Sequence, residues 1–129
     1  MGRIIVQVEI FNPSDKSKYI KCSMFVDTGA ASLILPSVWK DRLGTFSSIE
    51  NVELILANNE VIKGEACGPV GIKIEGFRKI YNEVIFMEMD ETKEGEYEPL
   101  LGYIILEQAQ AAIDMLGHRL VHVKYIDCK

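Results

Sequence analysis

The chain has 129 residues, 48% of them hydrophobic, with 14 basic and 19 acidic side chains and a formal net charge of −5. That length suits one domain with a real core, residues 1–129, and is too short for a two-lobed enzyme. The acidic balance, with a pI near 5.0, argues against nucleic acid as a partner, and no apolar run approaches the ~18–20 residues of a membrane span.

In chain order the pattern is mostly strands. Ile4 to Phe11 is the first, Asn12-Pro13-Ser14-Asp15 is a turn signal, and Lys18 to Val26 returns. In the returning strand Ile20, Cys22, Met24 and Val26 alternate with Lys21, Ser23 and Phe25, so one face is apolar. Leu33 to Leu35 forms a short strand. Pro36-Ser37 then opens a short helix, with Ser37 as its N-cap, Gly44 as its stop, and Trp39 and Leu43 on one face. Val52 to Ala57 and Glu60 to Ala66 flank Asn58-Asn59, a two-residue turn that tolerates positive φ. Val70 to Ile74 and Lys79 to Met87 are further strands. The acidic segment Glu88 to Glu98 reads as a solvated, mobile loop. Ala111 to Met115 and Arg119 to Ile126 surround Leu116-Gly117-His118 as a hairpin. Many short strands with turn signals and one or two short helices indicate an all-β chain forming a closed or nearly closed barrel.

Cys22, Cys67 and Cys128 are odd in number and widely spaced. They read as free thiols in a reducing cytoplasm, with Cys22 in the core. The start of the chain, Met1 to Val6, lacks the apolar segment of a signal peptide. His118 and His122 have no third ligand in a sensible pattern, so neither a metal nor another cofactor is expected.

The sharpest feature is Asp27-Thr28-Gly29, an acidic residue in a tight turn between two apolar runs, Met24 to Val26 and Ala30 to Leu35. An unpaired carboxylate is costly there, so a partner is expected. The chain holds no second Asp-Thr-Gly or Asp-Ser-Gly. If the partner is an equivalent aspartate, it comes from a second copy of the chain. A second feature, Leu100-Leu101-Gly102 followed by Tyr103 to Leu106, lies downstream.

These two motifs, in this order, make the chain similar to the retropepsin-like aspartic proteases, the single-lobe, dimeric relatives of pepsin. Met24 to Ala30 matches the catalytic loop, Pro99 to Gly102 the segment that threads behind it, and Val52 to Val61 the flap hairpin; the likeness spans about residues 4 to 125. It implies a closed retropepsin-like (acid protease) β barrel. It implies a homodimeric aspartic endopeptidase acting on extended peptides or proteins, with one Asp27 per chain sharing a water and a proton. The alternative is a catalytically silent peptide-binding or dimerisation module of the same fold.

By this resemblance Asp27, Thr28 and Gly29 are catalytic. Ala30, Ala57, Asn58, Asn59, Tyr97 and Pro99 contact substrate, and the acids beside Tyr97 suit basic peptides. Leu100, Leu101 and Gly102 support the catalytic loop. The sequence departs from the family at three places. Ala30 lacks the hydroxyl that pepsin-like enzymes often carry there, the Asn58-Asn59 turn has no glycine, and Tyr103 replaces a common arginine.

Overall fold

The computed structural model describes residues 3–56 and 58–125. Among the described residues there are nine strands: β1 (Ile5–Asn12), β2 (Asp15–Val26), β3 (Leu33–Pro36), β4 (Ser48–Ile55), β5 (Val61–Ile74), β6 (Ile80–Met87), β7 (Leu100–Leu101), β8 (Ala111–Asp114) and β9 (Arg119–His122). A 3-10 helix spans Ser37–Leu43, and α1 spans Tyr103–Gln108. The expectation of a mostly β chain with one or two short helices therefore holds.

Seven strands form one sheet in the order β1-β2-β7-β3-β6-β5-β4, and β8 and β9 make a separate hairpin. β1 also pairs with the C-terminal part of β5, Val8 to Phe11 against Ile74 to Gly71, so the sheet curls back on itself. The barrel is not strictly closed, which corrects the expectation of closure. β4 leaves the ring to pair with the N-terminal part of β5, and β7 contributes two residues only.

Alternation explains the core. Along β2, Ile20, Met24 and Val26 are buried while Lys21 and Ser23 are exposed, as side chains on opposite faces of a strand must be. Leu33, Leu35, Val84, Phe86 and Leu101 enter the main core. Their immediate neighbours Ile34, Ile85, Met87 and Leu100 project to the opposite face and join a second apolar cluster with Leu54 and Leu56. The register of the curl is held by Gly71. It sits opposite Phe11, whose ring lies where a Cβ at 71 would be. The buried polar Asn12 is satisfied: its Nδ2 donates to the carbonyls of Leu43 and Thr45 at 2.8 and 2.7 Å, and its Oδ1 accepts from the Ser14 N–H.

Several local expectations are refined. Ser37 is the first residue of the 3-10 helix, and Pro36 holds the cap position without a side-chain bond. Gly44 does end the helix, at φ 74°. The two candidate strands 60–66 and 70–74 merge into β5, with a register shift between Cys67 and Val70. The β4–β5 connection is longer than a two-residue turn. The Leu56 N–H bonds to the Glu60 carbonyl at 2.9 Å, Asn58 Oδ1 accepts from the Glu60 N–H, and Asn59 takes φ 66°. The hairpin around Leu116-Gly117-His118 forms as expected, with Asp114 Oδ1 accepting the Gly117 N–H at 3.0 Å. Its second strand is shorter than expected: β9 ends at His122, and Val123 to Tyr125 leave the ladder, while Ile126 and the thiol of Cys128 lie outside the described residues.

Cys22 and Cys67 are both free thiols. Burial against the core pushes the Cys22 thiol up to about 11, with Arg42 pulling weakly the other way. An unfolded cysteine ionises nearer 9.0, so between those values the unfolded chain sheds a proton that the folded chain keeps. Stability from this group is complete below about pH 9 and is lost as pH rises toward 11. Urea unfolding across that window should show stability falling, with on the order of 2 kcal/mol of the loss absent in Cys22→Ala.

Candidate active site

β2 carries Asp27 to the end of its run. Met24 and Val26 point into the core, so Phe25 and Asp27 face the other way, Asp27 toward residues of the second apolar cluster. Past Asp27 the chain turns sharply. The Ala30 N–H bonds to the Asp27 carbonyl at 3.1 Å, and the Gly29 N–H bonds to Asp27 Oδ1 at 2.9 Å. A Cβ on Gly29 would lie 3.1 Å from that same oxygen, so glycine keeps the amide open to the carboxylate. Asp27 is half-buried, whereas Thr28 and Gly29 are exposed. Among the described residues Asp27 forms no ion pair.

The loop is clamped from behind. The Asp27 N–H donates to the Leu101 carbonyl at 3.0 Å, and the first amides of α1, from Tyr103 and Ile104, donate to the carbonyls of Ala30 and Ala31 at 2.9 and 3.0 Å. These helix amides have no partner within α1, so the loop satisfies them. Gly102 makes the approach possible. A Cβ there would lie 2.5 Å from Ala31 C and Ser32 O and 2.6 Å from Ala30 O. Leu101 is fully buried beneath, and Leu100 sits partly buried on the groove side.

Asp27 opens onto a groove of about 400 Å³ walled by Ala30, Ile34, Leu54, Leu56, Ile85, Met87 and Leu100. A concavity of similar volume on the outer face of β1 is lined by Glu9, Lys21, Lys73 and Glu75; Lys21 and Glu9 pair there at 3.5 Å, a solvated charged face.

The structure brings together Asp27, Gly29, Ala30 and Leu100 in the groove, with Thr28 beside them and Leu101 and Gly102 behind. Asn58 and Asn59 lie exposed at the far end of the β4–β5 hairpin, and Leu54, Ile55 and Leu56 line the groove in their place. Ala57 lies outside the described residues. Tyr97 and Pro99 do not line this groove. Tyr97 packs edge-on against Trp39 at 6.0 Å, and Pro99 is buried, with its carbonyl accepting the Phe25 N–H. Sequence reasoning missed Ile34, Ile85 and Met87. Their signal is an unbroken apolar run, Leu33 to Leu35 and Val84 to Met87, which means a strand apolar on both faces. Among the described residues no three His, Cys, Asp or Glu side chains converge as metal ligands, and no helix is long and apolar enough to cross a membrane.

Among solved structures, the EIAV protease complexed with the inhibitor HBY-793 matches this chain with a TM-score of 0.63 and 20% sequence identity, over 88% of this chain and 94% of that one. The chain is thus folded like a retropepsin. No protein-family model and no curated protein matches.

The contact behind the loop is directly testable. Gly102→Ala forces a methyl group against three backbone atoms, which cannot rotate away. It should lower stability by about 1–3 kcal/mol, read as a reduced urea midpoint at unchanged slope.

Proposed function

We propose that the chain is an aspartic-type endopeptidase that acts as a homodimer, with Asp27 from each copy forming one active site. The observation that carries this reading is a single carboxylate, held by the Gly29 amide at the end of a retropepsin-like β2, opening onto an apolar groove. One chain supplies half of a water-activating pair. A two-fold axis beside Asp27 supplies the other half with no further residue.

Two carboxylates about one hydrogen bond apart cannot both ionise, so the pair holds one proton. The ionised member takes a proton from the bridging water, whose oxygen attacks the peptide carbonyl. The protonated member donates a hydrogen bond to that carbonyl oxygen and supports the tetrahedral intermediate. The bond to the leaving nitrogen then breaks as the nitrogen receives a proton from the pair. The amides of Gly29 and of α1 keep the loop in place, and the apolar walls limit water around the reacting atoms. Thr28, exposed beside Asp27, is free to hydrogen-bond across the axis. The β4–β5 hairpin, one wall of the groove, pairs with the extended backbone of the substrate.

Ala30 presents a methyl group where a hydroxyl would stabilise the ionised member of the pair. The activity of this enzyme is therefore expected to peak at a less acidic pH than that of pepsin-like enzymes. Wild type and Asp27→Asn, each shown by sedimentation to be dimeric, are to be compared on a mixture of unstructured peptides from acid to neutral pH. Cleavage should rise and fall with pH as the pair titrates. It should drop by about a thousandfold or more in Asp27→Asn. A dimeric wild type that cuts nothing in the mixture would favour a peptide-binding module instead.

A further inference from the structure

A second cavity, of about 260 Å³, lies along the same face of β2 as Asp27. Ser23, Phe25 and Asp27 are alternate residues of one chain and project to one side. Ser23 and Phe25 line this cavity, and Asp27 lines the groove. The adjacent segment repeats the arrangement, since Leu100 faces the groove and Glu98, two residues earlier, faces the cavity. β2 and β7 pair in parallel with Phe25 opposite Leu100, so the two hollows run in sequence along one surface.

The chemistry of the second hollow is already displayed by the chain itself. Arg3 places its guanidinium 4.7 Å over the Phe25 ring and forms an ion pair with Glu98. A ring face and a carboxylate together make a seat for a cation. Glu94 and Glu96 line the same cavity, and among the described residues neither forms an ion pair. The segment that carries them is anchored at its end by the Tyr97–Trp39 contact and closed by the Thr92 N–H bond to the Glu96 carbonyl at 2.6 Å. Against one arginine, three carboxylates leave the cavity with an excess of negative charge.

We propose that this cavity is a specificity subsite for an arginine or lysine side chain two positions from the apolar side chain seated beside Asp27. It rests on the reading that the groove holds an extended peptide. In such a peptide, side chains two apart lie on one side, about 6.6–6.8 Å from each other, the same two-residue spacing that separates Phe25 from Asp27. The groove selects an apolar side chain, and the neighbouring cavity selects charge.

The test uses the Asp27→Asn protein, so that binding is read whether or not the wild type cleaves. Two labelled, unstructured peptides are compared, identical except for Arg or Glu two positions from a fixed Leu. The Arg peptide should bind about tenfold more tightly, and the difference should shrink as salt is raised. It should also vanish in a Glu94→Gln, Glu96→Gln double variant. Equal binding of the two peptides, binding of neither, or a preference that survives the double variant would each overturn the proposal. Cleavage by wild type is scored separately. Preferential binding of the Arg peptide without cleavage upholds the subsite while removing the catalytic reading, and cleavage without charge preference does the reverse.

Discussion

Everything at the candidate site depends on two backbones being allowed to touch. The loop after Asp27 and the start of α1 approach until the carbonyls of Ala30 and Ala31 accept the amides of Tyr103 and Ile104, with Gly102 at the closest point. Each partner solves the other's problem. The helix has orphan donors at its first turn, and the sharp turn has carbonyls facing away from any strand. The carboxylate in front is held by a backbone frame, so its position does not rely on long side chains that would lose rotamer freedom.

The same economy appears in β3 and β6. In an ordinary half-solvated strand one face is apolar and the other polar. Here Leu33, Leu35, Val84 and Phe86 fill the barrel, while Ile34, Ile85 and Met87 face outward to floor the groove. One pair of parallel strands thus serves as core and as groove wall together. A substitution at Ile34 or Ile85 acts on the groove, and one at Leu33 or Val84 acts on stability, although the positions are adjacent in sequence.

The sequence made the strand content legible because alternation in β2 and the turn residues after β1 and β8 are local signals. The motif around Asp27 and the glycine at 102 were legible for a similar reason: tight turns and close approaches restrict residue choice strongly. The groove walls were harder to read. An apolar run such as Val84 to Met87 looks alike whether both faces meet core or one meets a cavity, because periodicity does not reveal what lies opposite. The resemblance puts Tyr97 and Pro99 against substrate, as lining of a side-chain pocket; Tyr97 lines the second cavity and not the groove, and Pro99 lines neither. Their actual surroundings depend on how segment 88–98 folds back on Trp39 and Arg3, contacts distant in sequence. The β4–β5 tip was read as a two-residue turn because Asn-Asn suits one. The Asn58 side chain, by bonding to the Glu60 amide, supports a wider loop.

The fit between Gly71 and Phe11 also bears on how this chain is able to vary. The Phe11 ring occupies the space of the missing side chain and is itself met edge-on by Tyr81 at 6.1 Å. A larger residue at 71 is tolerated only with a smaller one at 11, and a smaller one at 11 alone leaves a void where the sheet curls back. Among descendants of this chain the two positions are therefore bound to change as a pair, and their joint variation would mark the β1–β5 contact in an alignment even where every other residue of both strands had been replaced.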